Sequence, residues 1–336
     1  MKILVVAPSW VGDMTMAQSM FKSCLDKTPD ALIDVVAPEW SLPLLSRMPE
    51  VHKAIALPLG HGQLKLFKRL SIGRSMAVRS YDWAIVIPRT WKSALIPFFA
   101  RVPRRTGYVG EMRFGLINDL RTLDRKKLDK TLLRQLALAE EKSTPLPPPI
   151  RHYPRLSIDH GNQERLIRDL ELTLDRPAVC FCPGAEYGPA KQWPVEYFRQ
   201  LAELLLAEGY QIWTLGSAKE ASLGEAAHPG SQAWYKNLCG LTRLEDTVDL
   251  MALASHVVTN DSGLMHVAAA VGVKLEAIFG SSSPDYTPPL SERATIHYLG
   301  LSCSPCFKRR CPHDHLSCLL DITPDRILKS IHSSRH

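Results

Sequence analysis

Asp13 is the first side chain in this 336-residue sequence that is placed to do acid–base chemistry. It ends the segment Pro8-Ser-Trp-Val-Gly-Asp13, directly after the apolar run Lys2–Ala7. A carboxylate in such a loop can act as a general base. It can equally cap the helix that follows, which is a common use of aspartate. The residues alone leave both alternatives open.

A second candidate group lies in the segment Pro183-Gly-Ala-Glu-Tyr-Gly-Pro-Ala-Lys-Gln-Trp-Pro194. Gly184 permits close approach of the backbone to a ligand. Lys191 comes just before a helix that we predict to begin near Pro194, and a helix N-terminus beside a lysine favours a phosphate. The alternative is a surface lysine without a ligand. Trp193 is expected to pack rather than to bind.

A third group is the segment Asn260-Asp-Ser-Gly-Leu-Met-His266. The bend at Asp261, Ser262 and Gly263 presents backbone N–H groups at the start of a predicted helix, which favours an anion. His266 follows three or four residues later and shares that helix face. A purely structural histidine is the alternative.

Two further polar loops follow predicted strands. In Leu215-Gly-Ser-Ala-Lys-Glu220, the side chains of Ser217, Lys219 and Glu220 could bond to a ribose or a phosphate, although Gly-Ser turns are common. Gly280-Ser-Ser-Ser-Pro-Asp285 is expected at the same sheet edge.

The elements that must position these residues alternate between strands and helices. The predicted strands are Lys2–Ala7, Leu32–Ala37, Ala54–Leu57, Tyr81–Ile87, Ala178–Cys182, Gln211–Leu215, His256–Thr259 and Lys274–Phe279. The predicted helices are Met14–Leu25, Leu42–Met48, Val195–Glu208, Leu250–Ser255, Gly263–Val271 and one that begins near Asp321. This alternation predicts a doubly wound α/β fold with parallel sheets, whose ligands bind at the carboxyl ends of the strands.

The Pro-rich segment Pro145–Pro154 interrupts this pattern, and its stiff, extended character is typical of a linker. We therefore predict two Rossmann-like domains, at residues 1–155 and 156–322, followed by a C-terminal helix at 323–336. The first loop lacks the Gly-x-Gly-x-x-Gly fingerprint, and the sequence holds no Walker A motif. A dehydrogenase is therefore disfavoured.

Charge is unevenly distributed along the chain. The formal net charge is +10 over residues 1–150 and −3 over the rest. Two basic groups stand out in the first half: Lys65, Lys68, Arg69 and Arg74 among leucines and Phe67, and Arg101, Arg104, Arg105 and Arg113 around Tyr108 and Phe114. The first group is typical of a basic amphipathic helix. No nucleic-acid motif accompanies either group, so we expect a small anionic substrate near a membrane and no nucleic acid.

The apolar runs are too short to span a bilayer. The N-terminal run also lacks the length of a secretory signal, so we expect a cytoplasmic protein.

Taken together, the segments 183–194 and 260–266 and the Gly12-Asp13 loop resemble the bacterial ADP-heptose:lipopolysaccharide heptosyltransferases, and among them most of all the heptosyltransferase II branch. Gly-Glu-Met-Arg-Phe-Gly-Leu-Ile-Asn-Asp at 110–119 and Ser-Ser-Pro-Asp-Tyr-Thr-Pro-Pro at 282–289 extend the resemblance over nearly the whole chain.

The resemblance implies a GT-B glycosyltransferase of inverting mechanism, with two Rossmann-like domains that face each other across a cleft. The second domain would bind the donor and the first the acceptor. Asp13 would then be the base that deprotonates the acceptor hydroxyl, and Lys191 would stabilise the charge on the departing ADP. The bend at 261–263 would hold the donor sugar and phosphates, with His266 in the same pocket. Gly184, Ser217 and Lys219 complete the expected donor site.

The implied reaction moves L-glycero-D-manno-heptose from ADP-heptose to the first heptose of the lipopolysaccharide inner core. From charge alone, Arg104, Arg105 and Arg113 are the candidate contacts for that anionic acceptor. No cofactor is required, and stimulation by Mg²⁺ is left open. We also expect peripheral contact with the cytoplasmic face of the inner membrane. Another heptosyltransferase, another GT-B transferase with a different acceptor, and a periplasmic-type binding protein are the alternatives.

Four of the eight cysteines form the pattern Cys303-x2-Cys306-x4-Cys311-x6-Cys318. Such spacing can bind zinc through thiolates. We expect no metal, with reduced cysteines in a short loop, and keep a structural zinc as the alternative.

Overall fold

The computed structural model describes residues 1–58, 64–230 and 233–333. The chain divides into two compact units, Met1–Pro154 and Arg155–His336. The boundary falls at the end of the Pro-rich segment Pro145–Pro154. Among the described residues, no helix is both long and apolar enough to cross a membrane.

The first unit is built on a six-stranded parallel sheet. Its strands are β1 (Lys2–Val6), β2 (Leu32–Pro38), β3 (Val51–Leu57), β4 (Trp83–Val86), β5 (Arg104–Tyr108) and β6 (Asp119–Arg121). Its helices are α1 (Val11–Lys27), α2 (Leu42–Leu45), α3 (Leu66–Ala77), α4 (Leu95–Phe99) and α5 (Thr131–Ala139).

The second unit repeats this plan. Its strands are β7 (Ala178–Cys182), β8 (Gln211–Thr214), β9 (Tyr235–Asn237), β10 (His256–Asn260), β11 (Lys274–Ile278) and β12 (Ala294–His297). Its helices are α6 (His160–Asp169), α7 (Val195–Ala207), α8 (Ala221–Ala226), α9 (Leu244–Leu253), α10 (Gly263–Val271), α11 (Ser317–Leu320) and α12 (Pro324–Ser333).

The two sheets share one strand order. The first runs β3-β2-β1-β4-β5-β6, and the second runs β9-β8-β7-β10-β11-β12. In each sheet the order reverses direction between the first and fourth strands, with β1 paired in parallel to β4 and β7 to β10. Ligands of such sheets bind at the carboxyl ends of the strands beside this switch point. The loops after β1, β7 and β10 are therefore the ones positioned for chemistry.

The core of the second unit explains how its site loops are held. Helix α7 buries Phe198, Leu201 and Leu205, which recur at helical spacing. Trp193, just before α7, is fully buried, and its indole N–H donates to the carbonyl of Ile322 at 2.7 Å. The ring also packs edge-on against Phe198. The segment that carries Lys191 is thereby fixed to the core.

The start of α1 differs from the prediction. The helix begins at Val11 rather than at Met14, because Trp10 has extended backbone angles and its carbonyl accepts the N–H of Met14 at 2.9 Å. Asp13 therefore lies inside the first turn, and the capping alternative for Asp13 is wrong. Helix α2 likewise ends at Leu45, three residues before the predicted end.

Replacing Trp193 by alanine should lower the free energy of unfolding by about 3–5 kcal/mol, because it leaves a large cavity and an unpaired carbonyl. Urea titration followed by circular dichroism measures this. The half-exposed Trp40 serves as the matched control, and W40A should change stability by less than about 1 kcal/mol. Equal losses in the two variants would contradict the packing role of Trp193.

Candidate active site

A buried ion pair lies at the switch point of the second sheet. Lys191 ends the 3₁₀ turn after β7, and Asp261 directly follows β10. The Lys191 ammonium Nζ lies 2.5 Å from Asp261 Oδ2, with only 18% and 4% of the two side chains exposed. The structure thus brings together two residues predicted from separate motifs.

The Asp261 carboxylate has a second partner. The Ser282 hydroxyl, in the loop after β11, donates to the same oxygen Oδ2. Three loops at the carboxyl edge of one sheet therefore meet at one carboxylate. Sequence reasoning named the loop 280–285 but not Ser282 itself, because nothing in a serine-rich loop shows which hydroxyl faces inward.

His266 is buried behind this ion pair, on the first turns of α10. Burial lowers the pKa of His266 to about 4, while the nearby Asp261 carboxylate opposes this and the Lys191 ammonium reinforces it. The imidazole is therefore neutral at neutral pH and adds no charge to the site.

Two buried polar atoms at this edge have no hydrogen-bond partner among the described residues: His266 Nδ1 and Ser281 Oγ. Helix α10 also begins here, and its N-cap residue Ser262 makes no side-chain cap. Gly263 opens the helix. Unpaired N–H groups, a free hydroxyl and an ammonium can together bind an anionic group such as a phosphate.

Asn260 connects two of the site loops. Its side-chain amide donates to the carbonyl of Pro183 at 2.7 Å and accepts the backbone N–H of Trp193 at 2.8 Å. It is fully buried at the end of β10. Asn260 therefore holds the loop from 183 to 193 against β10, a role that its position in the sequence did not reveal.

Glu220 organises the loops after β7 and β8. Its carboxylate accepts the backbone N–H of Ser217 at 2.7 Å and the Ser217 hydroxyl at 2.9 Å. A Cβ atom at Gly184 would lie 1.5 Å from the same carboxylate, so a larger residue there would displace the Glu220 side chain. Lys219 instead lies near Glu186 at 3.8 Å, with most of its side chain exposed.

Asp13 occupies the corresponding place in the first unit, after β1 at the switch point of that sheet. Its side chain is half-buried. Its carbonyl oxygen accepts the amide N–H of Gln135, which is buried on α5, at 2.9 Å. The contact ties the first turn of α1 to α5, and the sequence held no signal for a pair 122 residues apart.

The three arginines predicted for the acceptor are engaged inside the first unit. Arg104 binds the carboxylates of Asp119 and Glu141. Arg105 donates to three backbone carbonyls, those of Val102, Leu116 and Gly115. Their contact with an acceptor stays a prediction.

Arg113 is only 1% exposed and donates to the carbonyls of Tyr108 and Pro88. Burial lowers its pKa to about 10. Its guanidinium shapes the loop after β5 from within.

The segment with Cys303, Cys306, Cys311 and Cys318 holds only free cysteines. All four line one small cavity, and over the described ranges no three histidine, cysteine or acidic side chains are grouped to hold a metal ion. The choice between reduced cysteines and a structural zinc stays a prediction.

The segment from Cys303 to Cys318, called the cysteine segment below, holds the site loops in place through backbone hydrogen bonds. The backbone N–H of Phe307 donates to the carbonyl of Ser281 at 2.7 Å, and that of Ala190 donates to the carbonyl of Arg309 at 3.1 Å. The loops that carry Lys191 and Ser282 are thus held from the side by this segment.

Comparison with known proteins identifies relatives of the whole chain. Residues 69–317 match the profile of glycosyltransferase family 9 (heptosyltransferase). The chain is 47% identical to lipopolysaccharide heptosyltransferase 2 of Salmonella typhimurium, over 99% of this chain and 98% of that protein.

Two solved structures show the same fold. The Escherichia coli ADP-heptose lps heptosyltransferase II superposes with a TM-score of 0.89 at 42% identity, over 99% of this chain and 98% of that one. The E. coli heptosyltransferase WaaC with ADP superposes at 0.73 with 19% identity, over 99% and 100%. These likenesses confirm the predicted GT-B fold class with two Rossmann-like units.

Stability should depend on pH through His266. Its folded pKa lies below its unfolded value near 6.5, so the unfolded chain binds the proton more readily and stability is lost as pH falls from about 6.5 to 4. Replacing His266 by glutamine should remove a loss on the order of 3 kcal/mol over that window. Urea unfolding at both ends of the window measures it.

The exposed His313 offers a matched control, and H313Q should keep the pH dependence of the parent chain. A His266→Gln variant whose stability still falls as steeply would rule out the buried imidazole as the cause.

Proposed function

The chain belongs to glycosyltransferase family 9, the heptosyltransferases, and from this premise we propose that it transfers L-glycero-D-manno-heptose from ADP-heptose to the first heptose of the lipopolysaccharide inner core. The observation that carries the proposal is the Lys191–Asp261 pair beside the open N-terminus of α10, in a chain with full-length heptosyltransferase 2 relatives. An inverting mechanism needs a base on one face of the sugar and fixed positive charge at the leaving group.

In this proposal the second unit stabilises the leaving group, ADP. Negative charge grows on the departing ADP phosphate as the glycosidic bond breaks. The Lys191 ammonium and the first N–H groups of α10 would stabilise that charge without a metal. Lys191 would exchange its contact with Asp261 for the phosphate, and the Asp261 carboxylate would then be free to bind donor hydroxyls together with Ser282.

The first unit supplies the catalytic base in this proposal. The Asp13 carboxylate would accept the proton of the acceptor hydroxyl as that oxygen attacks the anomeric carbon. The Gln135 contact to the Asp13 carbonyl fixes the turn that carries it. Positioning of this kind matters because a small displacement of a catalytic group costs much of its rate.

The acceptor is an anionic glycolipid in this proposal, and the positive charge of the first half favours its approach. Arg104 and Arg105 are half-buried and can contact it at their exposed edges, whereas Arg113 would act by shaping the loop. We propose that the chain works at the cytoplasmic face of the inner membrane in peripheral contact with it. No cofactor and no nucleic acid take part.

Replacing Asp13 by asparagine should lower kcat about 10²–10⁴-fold, because the base is lost while the shape is kept. The measurement is ADP release from ADP-heptose with an acceptor that already bears one heptose. D30N, at an exposed aspartate, is the matched control and should keep the parent rate. Release only with a heptose-free acceptor would reassign the chain to the first heptose addition, and no release with either acceptor would refute heptosyl transfer.

Replacing Lys191 by alanine should lower kcat about 10²–10³-fold with a smaller change in KM, because the lysine acts on charge that grows in the transition state. Its loss also leaves the Asp261 carboxylate buried without a cation. The double variant Lys191→Ala/Asp261→Asn removes that strain. A double variant that recovers the parent rate would show that Lys191 only stabilises the fold.

A further inference from the structure

The outward face of α3 combines exposed apolar side chains with exposed cationic ones. Phe67 is 84% exposed and Val78, just after the helix, 85%. Arg74 lies between them at spacings of seven and four residues, which places all three on one side of a helix. Lys68 flanks Phe67. These four residues are called the α3 face below.

The charge on this segment is all of one sign. From residue 64 to residue 81 the sequence holds five lysines and arginines and no aspartate or glutamate. Lys65, Lys68 and Arg74 are exposed and form no ion pair with any residue of the described ranges. Their positive charge is therefore available to a partner, which must be anionic.

The opposite side of the helix holds the α3 face rigidly outward. A side chain at Gly73 would lie 2.6 Å from Phe99 Cβ, so α3 packs closely on α4 through that glycine. The buried Arg69 guanidinium donates to the carbonyls of Leu64 at 2.8 Å and Lys92 at 3.3 Å. Because these contacts fix the inner side, Phe67 cannot turn inward to be buried.

We propose that the α3 face docks on the surface of an anionic phospholipid bilayer. An aromatic ring that inserts at the headgroup boundary, surrounded by lysine and arginine, matches both properties of such a surface. The lack of any carboxylate between residues 64 and 81 suits either polyanion, but the apolar Phe67 and Val78 favour a lipid surface over a nucleic acid, whose backbone offers charge without an apolar layer. The benefit to catalysis, delivery to a lipid-anchored acceptor, rests on the proposed function; the docking itself does not.

Sedimentation of the full chain with vesicles tests the proposal. Vesicles rich in phosphatidylglycerol should bind the parent chain in a salt-sensitive manner, and pure phosphatidylcholine vesicles should bind it much less. The double variant Phe67→Ser/Lys68→Glu should bind the anionic vesicles at least about tenfold more weakly, because it removes the inserted ring and reverses one charge.

The matched control is Leu174→Ser/Lys126→Glu, which makes the same kinds of change at exposed residues outside the α3 face. It should bind vesicles as the parent chain does. Equal binding of the parent chain to both kinds of vesicle, equal losses in the two double variants, or a preference for duplex DNA over anionic vesicles would each overturn the proposal.

A water-soluble acceptor separates docking from catalysis. With it, Phe67→Ser/Lys68→Glu should release ADP at the parent rate while failing to bind vesicles. Loss of both would assign the α3 face to the acceptor site and overturn its assignment as a membrane surface. A parent chain that binds vesicles without releasing ADP would refute the proposed function and leave the docking in place.

Discussion

The ion pair between Lys191 and Asp261 is the interaction around which the second unit organises its site. Taking both charges out of water costs several kcal/mol, and this cost is offset only when the partners meet with good geometry and further hydrogen bonds. Ser282 supplies one of those bonds. Because the three residues come from the loops after β7, β10 and β11, satisfying one carboxylate fixes three loops at one edge of the sheet. A site for an anionic ligand is thereby formed before the ligand binds.

The backbone around the Lys191–Asp261 pair is fixed by a small number of further hydrogen bonds. The Asn260 side chain forms hydrogen bonds with the backbone of Pro183 and Trp193. In the cysteine segment, the N–H of Phe307 donates to the carbonyl of Ser281, and the carbonyl of Arg309 accepts the N–H of Ala190. Buried backbone groups must be paired, so these contacts leave few ways for the loops to move. The unpaired His266 Nδ1 and Ser281 Oγ stand out against this background. A buried polar group without a protein partner leaves a hydrogen bond that a bound molecule can make.

Prediction from sequence succeeded where burial dominates and failed where pairing is distant. Strands β1, β7 and β10 were predicted because strands buried on both faces are nearly continuous apolar runs. The three-residue edge strands β6 and β9 are too short and too polar to give such a signal. The predicted start of α1 was wrong because tryptophan is not a common N-cap residue. Trp10 therefore gave no sequence signal that the helix begins there. The topology predicted that Lys191 and Asp261 lie at the same sheet edge, but it did not predict their ion pair, and the contacts of Gln135 and Ser282 likewise depend on which way single side chains turn.

The basic residues of the first unit show most clearly what composition alone does not predict. The positive net charge of the first half was a sound reason to expect an anionic partner. Composition, however, does not distinguish a cation that is already in an ion pair from one that is available to a ligand. Arg104 is neutralised by two carboxylates, and Arg113 is used within the loop after β5. Lys65, Lys68 and Arg74 lie in a segment without acidic residues and form no ion pair with any residue of the described ranges. The segment 64–81 therefore keeps its positive charge available to an anionic partner, because the local absence of acidic side chains, and not only the number of basic ones, decides where positive charge is left over.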